Sequence, residues 1–120
     1  IRTLRDGRAV DCSMGVVADE PPTGDTKMYH YPFSNVYDDL RVCVGNNVLP
    51  HFKSQTQLSK FPRFLLGIPN NDDFFKVSHN RLHMPHRELL EHLKDKEPAY
   101  YYTDVLVENG KTLSDFINGR

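Results

Sequence analysis

The sequence lacks the charge excess that marks a nucleic-acid-binding protein. Its 15 lysines and arginines face 16 aspartates and glutamates, which leaves a formal net charge of -1. Binding to a phosphate backbone would therefore need a local basic patch. Arg2, Arg5 and Arg8 form a small one near the start, but Asp6 and Asp11 interrupt it, which is typical of a solvated surface. We expect no nucleic-acid partner.

Long apolar runs and cysteines are also scarce. No stretch approaches the ~20 apolar residues that cross a bilayer, and the charged start from Ile1 to Val10 is not a signal peptide. Cys12 and Cys43 are the two cysteines, and the sequence contains no Asn-x-Ser/Thr sequon. Secreted domains of this kind usually carry more cysteines. We therefore expect a protein of the reducing cytoplasm, with no membrane association.

What is present fits one small folded domain. The chain has 120 residues, 38% hydrophobic and 26% charged, which indicates a globular domain rather than a disordered tail. We expect a single domain over residues 1–120. The sequence opens on Ile1 and not on Met. This start is also what we expect of a fragment of a longer protein or of a processed product.

Turn residues divide the first part of the chain into a predicted antiparallel hairpin. Ser13 to Ala18 is predicted as a short strand. Glu20 to Asp25 is predicted as a turn, because its two prolines and its glycine cannot continue a ladder. Thr26 to Tyr31 alternates polar and large apolar residues, which predicts the second strand. Residues 32–47 are predicted to be mostly irregular.

The strongest helix signal comes late in the chain, from Pro85 to Asp95. Pro85 suits the first helical position. One predicted apolar stripe follows, formed by Leu89, Leu90 and Leu93.

The end of the chain predicts a strand, a turn and a second helix. Ala99 to Val107 is rich in aromatic and β-branched residues, which favours a strand. Asn109-Gly110 is a turn signal. Thr112 to Asn118 is predicted as a short helix, with Thr112 as its cap and Asp115 as an acidic capping-box partner. Together these elements predict the α+β class.

The segment around Cys43 carries most of the chemical information. Val42 and Val44 flank the cysteine, and a cysteine between two valines is ordinarily a small hydrophobic residue in a strand. Here it follows a polar loop that contains Asn35, and it precedes Gly45. In such a loop a thiolate can attack a carbonyl while an amide stabilises the oxyanion. No histidine follows closely, which argues against a protease-like pair. A structural cysteine and a thioester carrier both stay open.

The spacing in this segment resembles that of ubiquitin-conjugating enzymes. Those enzymes carry a His-Pro-Asn segment, an aliphatic residue, a glycine-containing turn and an aliphatic-Cys-aliphatic run, with the cysteine eight residues after the asparagine. Asn35 and Cys43 have the same spacing. The wider pattern is similar to bacterial members of the superfamily, in particular the PRTRC system protein B family. The residues that carry this resemblance are Tyr29, Pro32, Phe33, Asn35, Val36, Tyr37, Arg41, Val42, Cys43 and Gly45.

The sequence also departs from the family pattern. Phe33-Ser34 replaces the His-Pro pair, and Leu40 stands where a turn glycine is usual. The 42 residues before Cys43, at ~3.3 Å each, allow two or three short strands but not also the usual N-terminal helix. The resemblance implies a ubiquitin-conjugating-like fold, an antiparallel strand meander with flanking helices, in which the N-terminal part is missing or replaced.

The resemblance also implies a role for each residue of the site. Cys43 would carry the C-terminus of a ubiquitin-like modifier as a thioester and transfer it to an amine. Asn35 would steady the loop or the oxyanion, and Tyr37 would shape the loop and contact the incoming amine. One of four carboxylates would position or deprotonate that amine, and the candidates are Asp38, Asp39, Asp72 and Asp73.

The implied partners are the modifier protein and its activating enzyme, and we expect no cofactor. Two alternatives stay open. The missing histidine of the motif and Leu40 favour a binding module of the same fold that has lost catalysis. If the motif is coincidental, the chain is an unrelated accessory protein, for example of a plasmid or another mobile element.

Two further clusters suggest other kinds of site. Zinc binds imidazole, and four histidines lie in one region, but the chain has no standard zinc signature. We expect surface or cap histidines, and no metal, for His79, His83, His86 and His92. Tyr100-Tyr101-Tyr102 resembles a surface on which bases stack, but without flanking lysine or arginine it favours a strand with one packed face.

Overall fold

A computed structural model of the chain describes residues 1–18 and 20–119 as a mixture of short strands and helices. The strands form two separate two-stranded antiparallel sheets, in which β1 pairs with β2 and β3 pairs with β4. The bounds of the strands are β1 Arg2–Thr3, β2 Ala9–Asp11, β3 Lys27–Tyr29 and β4 Glu108–Thr112. Helices together with antiparallel sheets agree with the expected α+β class.

The helices lie mostly in the second half of the chain. Their bounds are α1 Gln55–Leu58, α2 Phe61–Leu66, α3 His86–Leu93, α4 Pro98–Tyr100 and α5 Leu113–Ile117. A 3-10 turn covers Val77–His79, and a π-helical turn, Tyr101–Val105, continues directly from α4. Among the residues that the structure describes, no helix is long and apolar enough to span a membrane.

The predicted hairpin is present only in part. Val16 and Tyr29 exchange two backbone hydrogen bonds, of 3.1 and 2.9 Å, and this ladder ends there. The predicted strand from Ser13 to Ala18 is wrong, because this segment is irregular and makes only single bridges. Gly15 allows Met28 to pack closely against its backbone, since a Cβ at Gly15 would lie 2.6 Å from the Met28 Cε atom. The second predicted strand shortens to β3 and pairs with β4 instead.

The predicted helix over residues 85–95 is confirmed as α3, with Pro85 immediately before its first turn. Leu89 is fully buried and Leu93 is half-buried. Leu90 is 45% exposed, so the predicted stripe is wrong for this residue. Leu90 directly follows Leu89 and therefore lies about 100° around the helix from it.

The predicted strand from Ala99 to Val107 is wrong. Pro98 begins α4 instead, because its ring presets the backbone angle of a first helical turn. The Thr103 hydroxyl donates a hydrogen bond of 3.2 Å to the carbonyl of Ala99 one turn earlier. The helical turn that follows buries Val105 completely, so the apolar residues reach the core through a helix rather than through a strand.

The turn predicted at Asn109-Gly110 is also wrong, because both residues lie inside β4. Their turn chemistry produces an irregularity in the strand. Gly110 has a φ of 79°, and the Asn109 side chain accepts a 2.9 Å hydrogen bond from the backbone of Lys111. The predicted helix near the end of the chain is confirmed as α5. Thr112 caps it and forms the predicted reciprocal capping box with Asp115.

Candidate functional site

Cys43 lies at the end of a tight loop that brings it beside Asn35. Its backbone N–H donates a 2.7 Å hydrogen bond to the Asn35 carbonyl, and Val36 and Val42 form an antiparallel bridge between them. The Cys43 side chain is half-buried, and both Cys43 and Cys12 are free thiols. Asn35 and Cys43 are therefore the two ends of one closed loop, which accounts for the eight-residue spacing between them.

Leu40 keeps the conformation for which a glycine is ordinarily used. Its φ is 71°, and its N–H donates a 2.9 Å hydrogen bond to the Tyr37 carbonyl. The left-handed region is unfavourable for a leucine. Burial compensates, because the side chain is 1% exposed and its Cδ1 atom would lie 3.3 Å from a Cβ at Gly15. Leu40 thus adopts the left-handed conformation typical of a turn glycine and also places a buried side chain in the core.

Asn35 joins the Cys43 loop to a later segment. Its side-chain amide donates hydrogen bonds of 3.1 Å to the Pro69 carbonyl and 3.2 Å to the Asn70 side-chain oxygen. The Ser34 hydroxyl donates to the same Asn70 oxygen at 3.1 Å. Asn35 itself has a φ of 66°, which asparagine tolerates better than most residues. The resemblance implies that Asn35 steadies either the loop or the oxyanion. These hydrogen bonds favour the first role.

Tyr37 interacts with Cys43 through its side chain. Hydrogen bonding to Cys43 is the largest cause that raises the pKa of the Tyr37 phenol, and partial burial and the Cys43 charge act in the same direction. The ring packs against Phe74 with centroids 4.2 Å apart, and the Arg41 guanidinium lies 5.5 Å from its centre. The Tyr37 phenol is therefore an electrostatic neighbour of the Cys43 thiol.

A cavity of about 240 Å³ opens beside the thiol. Amide side chains dominate its polar lining, which also includes one carboxylate, and an aromatic ring and aliphatic side chains line the rest. The lining residues include Asn35, Asn47, Asn71, Asp73 and Phe74, together with Cys43 itself. Among residues 69–73 the sequence pointed only to Asp72 and Asp73 as candidate carboxylates. The density of asparagines there was the available signal for a polar wall.

The first two candidate carboxylates are bound to cations. Asp38 pairs with Lys76, whose hydrogen bond lowers the pKa of Asp38, and lies 3.3 Å from His79. Asp39 accepts from the backbone N–H of Arg41, which lowers its pKa most, and from the guanidinium at 2.7 Å. Among the residues described, neither of the two lines the Cys43 cavity.

The other two carboxylates differ from each other although they are adjacent. Asp72 lies 3.2 Å from the His86 ring and 4.0 Å from Arg87. Asp73 lines the cavity, and its carboxylate accepts a 2.9 Å hydrogen bond from the neutral amide of Asn71. Within residues 1–18 and 20–119 it has no ion pair. Asp73 is therefore the candidate best placed to meet a cationic amine.

A histidine pair that the sequence analysis missed lies behind Asp38. His30 and His79 stack with ring centroids 4.0 Å apart and planes 10° from parallel. Burial lowers the pKa of both imidazoles, and their mutual repulsion lowers that of His30 further. The Nδ1 atom of His30 is buried without a hydrogen-bond partner among the described residues. The two residues are distant in sequence, so no local pattern joined them.

The remaining histidines of the predicted cluster are engaged separately. The His86 ring stacks on Phe75, and His92 lies 2.9 Å from the Tyr100 hydroxyl. His83 is exposed. In the part of the chain that the structure describes, no group of three His, Cys, Asp or Glu side chains could hold a metal ion.

Comparison with known protein families adds one finding to this geometry. The model of a family described as "Prokaryotic E2 family D" matches residues 12–109, a span that includes Asn35, Tyr37, Cys43 and Asp73. E2 denotes the ubiquitin-conjugating enzymes. No curated protein and no solved structure gives a significant match to the chain. The helices and two antiparallel sheets are compatible with an E2-like fold.

Proposed function

We propose, because this chain belongs to prokaryotic E2 family D, that Cys43 carries a ubiquitin-like modifier as a thioester and transfers it to an amine. The observation that supports this most is the setting of Cys43. A half-buried thiol borders a cavity rich in amide groups, and its interaction with Tyr37 raises the pKa of the phenol.

The chemistry needs two acyl transfers. In the first, the Cys43 thiolate attacks the thioester carbonyl that joins the modifier to its activating enzyme, and the activating enzyme's thiolate leaves. In the second, a neutral amine attacks the new thioester carbonyl. An amide bond forms, the amine loses a proton, and Cys43 leaves as a thiolate. The proposal requires no cofactor on this chain.

Each neighbouring residue has a role in these steps. Asn35 holds the loop against residues 69 and 70 and so fixes the position of the thiol. Tyr37 donates to the sulfur and stabilises its negative charge when it leaves. Asp73 attracts the incoming amine and accepts the proton that its nitrogen loses when the amide bond forms.

We also propose the partners, the domain extent and the cellular location that the resemblance implies. The partners are a ubiquitin-like modifier and its activating enzyme. The chain is a single ubiquitin-conjugating-like domain over residues 1–120, related to the PRTRC system protein B family and acting in the cytoplasm of a bacterium.

One observation favours a second candidate, a binding module of the same fold without catalysis. The Asn35 amide donates to Pro69 and Asn70, so it is already engaged away from the sulfur. An oxyanion would have to displace one of these acceptors. In this module the cavity would hold the modifier's tail without forming a covalent bond.

Thiol alkylation tests, with this chain alone, the accessible thiol that the carrier requires. The native protein is treated with iodoacetamide at neutral pH, and the labelled sites are read by mass spectrometry. We expect labelling of Cys43 at least about tenfold faster than that of Cys12. Cys12 is 2% exposed, and burial raises the pKa of its thiol.

The control is the same reaction in urea, where the two thiols should react at similar rates. Labelling of Cys43 that begins only on unfolding would contradict the carrier. It would favour the binding module, for which a Cys43→Ser protein should bind the modifier as the wild type does.

A further inference from the structure

A long part of the chain carries positive charge and no negative charge. Residues 42–71 contain no aspartate or glutamate, but they contain Lys53, Lys60 and Arg63. All three are exposed, and none forms an ion pair with any residue in the ranges 1–18 and 20–119. Elsewhere the basic side chains of Arg2, Lys27, Arg41, Lys76 and Lys94 each contact a carboxylate. The charge around α1 and α2 is therefore uncompensated.

An aromatic pocket lies among these charges. Its volume is about 280 Å³, and Phe52, Phe61 and Phe64 form much of its wall, with Lys60 and Gln57. The Phe61 ring meets Phe52 edge-on and stacks with Phe64, with centroids 5.7 Å apart in both pairs. A pocket of this size and lining accepts a single apolar side chain.

A second cavity, of about 430 Å³, shares Phe52 with the aromatic pocket. Lys53 lines it, and the β1–β2 loop contributes Arg5. The one acidic residue in its wall, Asp6, lies 3.9 Å from Arg8, and the Arg8 backbone N–H lowers the pKa of Asp6 most. The second cavity thus extends the positive charge beyond the aromatic pocket.

We propose that this surface, formed by the aromatic pocket with Lys60 and by the adjoining cavity with Arg5 and Lys53, docks an acidic segment of a partner protein. One apolar side chain of the segment fills the pocket, and its flanking carboxylates meet the three cations. An apolar anchor supplies affinity, and the charges supply orientation and rate of encounter. The two cavities of this surface share no lining residue with the Cys43 cavity.

The aromatic pocket fits a side chain better than a nucleotide base. A base stacks on an open ring face. Phe61 is 6% exposed, and its ring already contacts Phe52 and Phe64. Binding of nucleic acid is therefore the competing outcome of the test.

The test uses fluorescein-labelled peptides in which one variable residue is flanked on both sides by Asp and Glu. The variable residue is Leu, Phe, Ala or Lys, and binding is measured by fluorescence anisotropy at low and at physiological salt. We expect the Leu and Phe peptides to bind about tenfold more tightly than the Ala peptide, because only they bury a large apolar group. Salt should weaken the binding of all of them.

Two double charge reversals provide the matched variants. Lys53→Glu with Lys60→Glu should weaken binding of the Leu peptide about tenfold or more. Arg81→Glu with Lys96→Glu changes the net charge equally but outside this surface, and should leave binding unchanged. Cys43→Ser should also bind normally, since docking does not depend on the thiol.

Three results would overturn the proposal. The first is the absence of saturable binding of the Leu and Phe peptides to the folded protein. The second is an equal loss of binding in both double variants, which would show attraction to net charge alone. The third is tighter binding of a single-stranded oligothymidine of matched charge than of any peptide, which would assign the surface to nucleic acid.

Discussion

At the scale of single residues, Asp73 differs from the other candidate carboxylates in what it contacts. Asp38, Asp39 and Asp72 each lie beside a lysine or arginine side chain, whereas Asp73 accepts a hydrogen bond from a neutral amide and lines the Cys43 cavity. A carboxylate next to a bound cation attracts a second cation more weakly. Asp73 therefore retains the most free charge for an incoming amine.

Substitution of Asp73 should separate the two acyl transfers. Asp73→Asn preserves the shape of the side chain but removes the charge, so transfer to free lysine should slow about ten- to a hundredfold. Loading of Cys43 with the modifier should proceed at the wild-type rate. Single-turnover discharge of the loaded protein measures the effect, and Asp95→Asn is the control for the loss of one exposed charge. Equal slowing of loading and discharge would make Asp73 a structural residue.

The sequence predicted the neighbours of Cys43 better than it predicted its distant partners. The eight-residue spacing of Asn35 and Cys43 corresponds to one closed loop, which a local pattern can encode. The carboxylates could not be ranked, because the partners of Asp38 and Asp72 come from other parts of the chain. The same distance in sequence concealed the stacking of His30 on His79.

At the scale of elements, the Tyr37–Leu40 turn combines an unfavourable backbone with a favourable burial. Leu40 has a φ of 71° and is 1% exposed. Truncation of a buried leucine to alanine costs about 2–5 kcal/mol. A non-glycine residue in the left-handed region costs about 1–2 kcal/mol, and glycine does not have this cost.

These two terms predict an unusual order of stability. Both Leu40→Ala and Leu40→Gly should destabilise the protein, but the glycine variant should be the more stable of the two by about 1 kcal/mol. At ordinary positions inside an element alanine is preferred over glycine. Urea unfolding measures the free energies, and Leu89→Ala against Leu89→Gly in α3 should show the ordinary order. An alanine variant more stable than the glycine variant at residue 40 would contradict a left-handed turn.

Element prediction succeeded where the signal was local and failed where packing decided. The capping box of Thr112 and Asp115 is contained within one turn, and α5 begins there as predicted. The Ala99 to Val107 segment has strand-forming residues, but Pro98 starts a helix and the core accepts Val105 from that direction. Tertiary contacts outweigh β propensity in such a segment.

At the scale of the whole molecule, the stacked pair of His30 and His79 links stability to pH. Burial lowers the pKa of His30 and His79 below the ordinary value of 6.5, and the charged groups that face the pair are Asp38 and Lys76. An unfolded chain then binds protons that the folded chain does not. The stabilising contribution is therefore complete above about pH 6.5 and is lost as the pH falls below it.

We expect the midpoint of urea unfolding to fall between pH 7.5 and pH 5.5, within the range where histidine titrates. His30→Phe keeps an aromatic ring against His79 and removes one titrating group, so the fall should be smaller. His83→Asn removes an exposed histidine at a residue with a φ of 51°, which asparagine accommodates, and should leave the pH dependence unchanged. An identical fall in the His30→Phe protein would show that the pair does not control it.

The most direct test of a thioester on Cys43 is reconstitution with the activating enzyme and the ubiquitin-like modifier, in the presence of ATP. We expect an adduct of the two chains that a thiol reductant removes. Cys43→Ser should give an ester that resists the reductant, Cys43→Ala should give no adduct, and Cys12→Ala should behave as the wild type. An adduct that persists in Cys43→Ala would contradict the assignment of Cys43 as the carrier. The absence of an adduct, when the activating enzyme itself carries the modifier, would contradict it as well.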